Sequence, residues 1–192
     1  AAREARYIVF CGVHFMAETA AILCAPGQTV VQPVIEALCP MAAMANAPDA
    51  AQAYAALPAL GGDDVTPITY QNSVAAVKAF VGQHGGAVCP SSNAERLFRW
   101  ALSRSGHVLF LPDEHLGTNT ALAMGIPREA ISVWDHGEPP DPATLGRCRV
   151  IVWKGHCYVH TAMTVEDVAR ARRDHPEAIV VVHPEWPHAG VA

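Results

Sequence analysis

The stretch VTPITYQNSVAAVKAFVGQHGGAVCPSSNAERLFRWALSRSGHVLFL occupies positions 65 to 111 and decides the fold class. It contains three short runs of apolar and β-branched residues, Val65–Tyr70, Ala87–Cys89 and His107–Leu111, which we interpret as strands. Two segments with helical periodicity separate them, Ser73–Val81 and Asn93–Leu102. Apolar strands that alternate with helices are typical of a parallel sheet covered on both faces. The stretch therefore predicts an α/β protein.

The same alternation extends along the rest of the chain. The further predicted strands are Tyr7–Gly12, Thr29–Pro33, Ile131–Trp134, Arg149–Trp153 and Ala178–Val182. The further predicted helices are Met16–Leu23, Ala50–Leu57, Thr118–Met124 and Thr164–Asp174. The last of these has Thr and Asp three residues apart at its start, close to a capping box.

Composition and charge exclude several classes of function. The 192 residues carry a net charge of −5 without a basic stripe, which argues against nucleic acid or an anionic membrane as a partner. We find no apolar run of membrane-spanning length. His14 and Glu18 interrupt the N-terminal segment, which lacks a signal peptide's apolar core. These features predict a soluble, cytoplasmic protein.

The six cysteines are too few for a disulfide scaffold, and no two of them form a CxxC pair. Any that bind a metal must therefore come together from distant parts of the fold. Cys11, Cys24 and Cys148 are predicted to be small buried apolar residues, and Cys89 is predicted to be structural.

Polar residues follow several predicted strands, where parallel sheets bind their ligands. The segments with this placement are FCGVHFMAETA (10–20), TYQNS (69–73), CPSSNA (89–94), LPDEHLG (111–117), WKGHCYVH (153–160) and VHPE (182–185). In sequence and in order they resemble the motifs of quinolinate synthases. This resemblance runs over nearly the entire chain.

The resemblance implies three similar Rossmann-like α/β domains around a pseudo-threefold axis, with one cysteine from each holding a [4Fe-4S] cluster. The corresponding boundaries here are 1–48 for a partial first domain, 49–160 for the second and 161–192 for the start of a third. Cys39 and Cys157 match two of the cluster ligands, and thiolates are the usual ligands of such clusters. The third cysteine ligand is expected outside this chain.

The resemblance also implies a substrate pocket beside the cluster. Its substrate-binding residues would be Tyr70, Gln71, Asn72, Ser91, His183, Pro184 and Glu185, and its catalytic residues Glu185, Tyr70 and His160. Two positions depart from the family pattern: Leu38 replaces the usual glycine before the first cluster cysteine, and Trp186 replaces a cysteine common after HPE.

The implied reaction is a transferase reaction of de novo NAD biosynthesis, in which iminoaspartate condenses with dihydroxyacetone phosphate to give quinolinate. It implies a functional partnership with L-aspartate oxidase or aspartate dehydrogenase. Two alternatives stay open. One is an incomplete, catalytically inactive fragment. The other is a zinc-dependent α/β enzyme that uses His156, Cys157 and His160, whose spacing alone could chelate zinc.

Overall fold

A computed structural model of the chain describes residues 4–62 and 64–191. The strands are β1 (Tyr7–Val9), β2 (Thr29–Val31), β3 (Val65–Tyr70), β4 (Ala87–Cys89), β5 (His107–Leu111), β6 (Ile131–Trp134) and β7 (Val150–Trp153). The α-helices are α1 (His14–Leu23), α2 (Ala47–Ala56), α3 (Ala75–Gln83), α4 (Ala94–Leu102), α5 (Glu114–Ala123), α6 (Pro142–Leu145), α7 (Tyr158–Thr161) and α8 (Val165–Asp174). Short 3₁₀ turns cover Met41–Ala43, Pro58–Leu60, Ser91–Asn93, Arg128–Ala130 and Ala189–Val191.

The strands form two parallel sheets. β1 pairs with β2, and the other five form a sheet in the order β4-β3-β5-β7-β6 with every neighbouring pair parallel. Helices connect successive strands of the larger sheet, as parallel pairing requires. The predicted α/β class with parallel sheets flanked by helices is confirmed.

Side chains that alternate along the strands of the larger sheet enter two separate cores. Phe110 and Val152 belong to the core that is covered by α4 and α5. Leu109 and Ile151 belong to the opposite core, which is covered by α2 and α3. Because both faces are buried, these strands read as continuous apolar runs, which is why their bounds could be predicted from the sequence.

The carboxyl ends of β3, β4, β5 and β7 lie along one edge of the sheet because all four strands are parallel. The loops after β5 and β7 approach each other closely at this edge. Gly155 lies so near the backbone that a β-carbon there would be 2.1 Å from the Pro112 carbonyl oxygen. The glycine of the WKGHC segment is therefore required for the two loops to meet.

The first sheet and the second are joined through α1 and α3. The Glu18 carboxylate accepts a hydrogen bond from the Ala75 N–H at the start of α3 (3.0 Å). Lys78 of α3 donates to the Phe15 carbonyl (3.3 Å) and to the Thr19 hydroxyl (2.8 Å) of α1, and burial lowers the pKa of its amine. Two characteristic residues of the 10–20 segment, Phe15 and Glu18, thus have a structural role in this contact.

One predicted strand is wrong. Residues 178–182 form no strand, and Ile179 and Val181 are 90% and 84% exposed. A strand needs a hydrogen-bonded neighbour, and none of the described strands pairs with this segment. In the ranges 4–62 and 64–191, no helix is long and apolar enough to cross a membrane.

Several helices begin earlier than predicted. The predicted helix Thr118–Met124 is the second half of α5, which begins at Glu114 because the Asp113 carboxylate accepts from the Leu116 N–H at its first turn. α8 begins at Val165 as the sequence suggests, with Thr164 and Asp167 in a complete capping box.

Candidate active site

The candidate site lies at the carboxyl edge of the larger sheet. Tyr70 ends β3, and Ser91 begins the 3₁₀ turn after β4. Cys157 is the N-cap residue of α7, and His160 lies within that helix, after β7. A turn over residues 183–186 brings Glu185 against this edge, where it is 2% exposed.

The Ser91 and Tyr70 hydroxyls lie between His183 and the Glu185 carboxylate. The Glu185 N–H donates to His183 Nδ1 (3.3 Å), so the neutral ring carries its hydrogen on Nε2 and donates to Ser91 Oγ (3.1 Å). The Tyr70 hydroxyl in turn interacts with Ser91 and with the Glu185 carboxylate. This arrangement brings the Tyr70 hydroxyl next to both Ser91 and the Glu185 carboxylate.

Burial of Tyr70 raises the pKa of its phenol far above the ordinary value, and the adjacent Glu185 carboxylate raises it further. The Tyr70 hydroxyl therefore stays protonated and acts as a hydrogen-bond donor at neutral pH. A phenol with so high a pKa gives up its proton less readily, so Tyr70 is suited to hold a hydrogen bond to a carboxylate rather than to act as a general acid.

Glu185 also faces His160 and Cys157. His160 Nδ1 lies 2.7 Å from Glu185 Oε2, yet without the alignment of a hydrogen bond, and the His160 and His183 rings stack with centroids 5.0 Å apart. A ligand atom of each of Cys157, His160 and Glu185 lies within 4.8 Å of the others. Among the residues the structure describes, this is the set with the spacing of a metal site.

Asp113 is a second buried carboxyl beside the site. It is fully buried, its Oδ1 accepts from the Leu116 N–H, and its Oδ2 has no hydrogen-bond partner. Burial raises the pKa of Asp113 to about 7, and the negative charge of Glu185 contributes to the same shift. Sequence reasoning did not assign Asp113 a role, although an Asp just after a buried strand and before a helical segment is a signal for a helix cap.

Asn119 of α5 fixes the turn that carries Glu185. Its side-chain amide donates to the Pro184 carbonyl and to the Trp186 carbonyl, both at 2.8 Å. The Trp186 indole is 2% exposed and donates to the Met163 carbonyl (2.9 Å). Asn119 was missed because its partners lie more than sixty positions away, and no local pattern shows such a contact.

A cavity of about 560 Å³ opens beside the site. The residues that line it include Ser91, Ser92, Asn119, Thr120 and Pro184. Its position next to the Ser91–His183 hydrogen bond makes it a suitable place for a small polar ligand.

The other predicted site residues do not belong to this cluster. Gln71 lines a different cavity of about 520 Å³, beside Lys78 on the α1 side. Asn72 is half-buried and makes no side-chain hydrogen bond with the described part of the chain. Cys39 is half-buried and packs against the same core as Cys157, but it is not in the close group with His160 and Glu185.

The remaining cysteines differ in burial. Cys89 and Cys148 are buried, and burial raises the pKa of these thiols to about 12 and about 11. Cys24 is half-buried and Cys11 is exposed, so the prediction that these two cysteines are buried is wrong. The strand before Cys11 ends at Val9 rather than at the predicted Gly12, which leaves Cys11 in a loop.

The sequence model of the family described as "Quinolinate synthetase A protein" matches residues 1–192. The chain belongs to this family. It is 52% identical to the quinolinate synthase of Geobacillus kaustophilus over 184 residues, which cover 95% of this chain and 50% of that protein. The quinolinate synthases of Halalkalibacterium halodurans and Listeria monocytogenes are 47% and 45% identical, over 97% and 99% of this chain and 51% and 52% of theirs.

As a member of the quinolinate synthetase A family, the chain spans about half the length of the curated relatives it matches. The resemblance that the sequence motifs indicated is thereby confirmed.

Proposed function

We propose that this chain is part of a quinolinate synthase, a transferase that condenses iminoaspartate with dihydroxyacetone phosphate to quinolinate, with loss of phosphate and water, in de novo NAD biosynthesis. The names of the relatives support the reaction. The observation that carries the proposal for the site is the buried Glu185, which contacts Tyr70 on one side and His160 on the other. We propose further that the protein acts in the cytoplasm, on iminoaspartate supplied by L-aspartate oxidase or aspartate dehydrogenase.

Ser91 and His183 are proposed to hold an anionic group of the substrate. Ser91 lines the cavity, its hydroxyl is free to donate because it accepts from His183 Nε2, and Pro184 continues the wall. Donors that are already fixed in position stabilise negative charge without reorganisation during the reaction. Gln71 and Asn72 follow Tyr70 directly and remain proposed contacts for a substrate that enters beside β3.

Glu185 is proposed to take and return protons on the substrate, with Tyr70 as a hydrogen-bond donor beside it. The carboxylate is shielded from water and lies between an imidazole and a phenol. These surroundings favour the exchange of protons with a bound substrate. His160 is proposed to orient the carboxylate, from which its Nδ1 lies 2.7 Å away.

The donor set at this edge fits a [4Fe-4S] cluster in part. Cys39 and Cys157 are free, half-buried thiols packed against one core, and a third thiolate is proposed to come from outside this chain. When bound through three thiolates, such a cluster supplies an open iron that acts as a Lewis acid toward a departing hydroxyl. The proposed division into a partial first domain (1–48), a second domain (49–160) and the start of a third (161–192) places one candidate thiolate in each of the first two.

The test uses the full-length protein of which we propose this chain is a part, purified without oxygen. Cys157→Ala should abolish the visible absorbance of the cluster and the formation of quinolinate together. Glu185→Gln should keep the absorbance and lower kcat by about 10²–10⁴-fold, the usual contribution of a general acid–base group.

Two matched controls accompany these variants. Cys24→Ser removes a half-buried thiol and Glu129→Gln an exposed carboxylate, both away from the site, and both variants should keep cluster and turnover. A Glu185→Gln variant with undiminished kcat would remove Glu185 from the mechanism. Cluster absorbance that survives Cys157→Ala would remove that residue from the ligand set.

The family membership favours this function over the zinc-dependent enzyme considered from the sequence. The three residues of that alternative also do not coincide in space, because His156 is exposed and Glu185 joins Cys157 and His160 instead.

A further inference from the structure

A second cavity, of about 520 Å³, opens where α1 meets α3 and the edge strand β4. It shares no lining residue with the cavity beside the candidate active site. Its polar lining residues are Thr19, Gln71 and Lys78, and its apolar wall includes Ile22, Ala79 and Val88. The volume lies within the range of about 300–1,000 Å³ that is usual for small-molecule sites, so a small ligand can be accommodated here.

Lys78 is the cation of this cavity, and it is only 9% exposed. Its Nζ donates to the Thr19 hydroxyl (2.8 Å) and to the Phe15 carbonyl (3.3 Å). An ammonium group has three N–H donors, so one of them has no hydrogen-bond acceptor among the described residues. Because Thr19 also lines the cavity, the ammonium group lies at the cavity wall with a donor to spare.

No carboxylate of the described chain forms an ion pair with Lys78. The Glu18 carboxylate is near enough to act on the charge of Lys78, but it accepts from the Ala75 N–H instead. The Phe15 ring, whose centroid is 5.6 Å from Nζ, supplies attraction without a counter-charge. Burial lowers the pKa of the Lys78 amine, and Glu18 opposes this shift. An anion in the cavity would stabilise the charged form of the amine.

The lining selects the class of ligand. Among the described residues that line the cavity, Lys78 is the only charged one, and the Gln71 side chain makes no hydrogen bond that would occupy its amide. A single ammonium group with one neighbouring amide suits a singly charged carboxylate, whereas phosphate groups are usually bound by more donors than these. The apolar wall in turn suits a hydrocarbon or aromatic body.

We propose that this cavity binds a small monocarboxylate with an apolar body, whose head group contacts Lys78 and whose body lies between α1 and β4. A bound body would cover part of Ile22 and Val88, which are 62% and 42% exposed. The site does not depend on the synthase reaction, since the proposed substrate cavity is lined by other residues, Ser91 and Pro184 among them.

The test uses the whole 192-residue chain, at low concentration to limit self-association, and two probes that differ only in their head group. The probes are phenylbutyrate and the uncharged phenylbutanol. In ligand-observed NMR titrations, phenylbutyrate should bind at least about 10-fold more tightly, the minimum expected for a hydrogen bond to a charged group. Lys78→Met keeps the apolar stem, so it should lower the affinity for the acid to that for the alcohol and leave the affinity for the alcohol unchanged.

Matched controls separate the cavity from the rest of the surface. Lys154→Met, at an exposed lysine, should bind both probes like the parent chain. Ala76 and Ala79 are both exposed residues of α3, but of the two only Ala79 lines the cavity. Ala79→Phe should therefore abolish the binding of both probes, because its ring occupies the cavity, and Ala76→Phe should not.

The proposal is overturned if phenylbutyrate does not bind, if both probes bind equally well, or if Ala79→Phe and Ala76→Phe bind phenylbutyrate alike. It is also overturned if Lys78→Met, shown to be folded by circular dichroism, keeps the preference for the acid. Should Lys78→Met fail to fold, the two probes and the two alanine variants still decide the outcome with Lys78 in place. None of these measurements involves quinolinate formation, so failure here is distinct from failure of the proposed function.

Discussion

Asp113 is a carboxylic acid whose two oxygens have different surroundings. Oδ1 caps α5 through the Leu116 N–H, and Oδ2 is buried without a partner. The capping bond needs only an acceptor, so it does not require the negative charge. The charge is instead a cost, since Asp113 is fully buried and Glu185 lies nearby.

This cost gives a prediction for the dependence of stability on pH. The pKa of Asp113 rises from 3.8 to about 7 in the folded protein, so between these values the folded state binds more protons than the unfolded state. The free energy of unfolding should therefore fall as the pH rises from about 4 to about 7, by an amount on the order of a few kcal/mol. Asp113→Asn keeps the capping acceptor and should remove this decline.

Urea unfolding at a series of pH values measures the effect as the difference between parent and variant, which cancels other titrating groups. Asp174→Asn, at the exposed end of α8, is the control and should follow the parent curve. If Asp113→Asn and the parent lose stability in parallel over this range, Asp113 is ionised in the folded protein and its raised pKa is wrong.

At the scale of elements, two helical glycines look alike in the sequence and differ in three dimensions. A β-carbon on Gly117 of α5 would lie 2.6 Å from Val152 Cγ1 and 2.7 Å from Phe110 Cδ1, whereas one on Gly82 of α3 would meet nothing within 4 Å. Gly117 therefore sets how closely α5 packs on β5 and β7, and Gly82 does not set any contact of α3.

We expect the same substitution to have opposite effects at these two positions. Gly117→Ala should lower the free energy of unfolding by about 1–3 kcal/mol, because overpacking exceeds the gain in helix propensity. Gly82→Ala should raise it by roughly 0.5–1 kcal/mol. Denaturant midpoints of the two variants measure this, and equal shifts in one direction would contradict the close contact at Gly117.

The elements also show which features a sequence can reveal. The bounds of β3, β4, β5 and β6 were predicted correctly, because buried parallel strands are continuous apolar runs between turn residues. The strand predicted at 178–182 has the same composition, yet it lacks a neighbour to pair with in the described chain. Composition reports the tendency of a segment, whereas pairing depends on residues far away in the sequence.

The residues of the candidate site also fall into two groups, those that the sequence reveals and those that it does not. Tyr70, Ser91, His160, His183 and Glu185 could be named in advance because the segments that contain them resemble the motifs of quinolinate synthases. Asp113 and Asn119 could not, since their importance comes from what surrounds them after folding: a buried, unpartnered oxygen for one, and two carbonyls of a distant turn for the other. Sequence motifs identify groups that perform chemistry more readily than those that position them.

At the scale of the whole molecule, large apolar side chains lie exposed around the first sheet. Ile22 and Leu23 at the end of α1 are 62% and 78% exposed, and Val9 of β1 is 63% exposed. Ile35 and Leu38, beside Cys39, are 61% and 65% exposed. Monomeric soluble proteins rarely expose so many large apolar residues close together, and such surfaces normally contact another surface.

We therefore expect the 192-residue chain alone to be poorly soluble, to self-associate, and to lack synthase activity. Sedimentation velocity over a range of protein concentrations should show mass rising with concentration. Replacing Ile22 and Leu23 with Gln should shift the distribution toward the monomer, since it removes apolar area without touching the core, while Glu129→Gln should leave it unchanged.

The absence of activity follows from a different feature, because the two candidate thiolates Cys39 and Cys157 are fewer than a stable cluster needs. A chain that stays monomeric at every concentration and also makes quinolinate would show that its exposed apolar surface needs no partner and that residues within it complete the site.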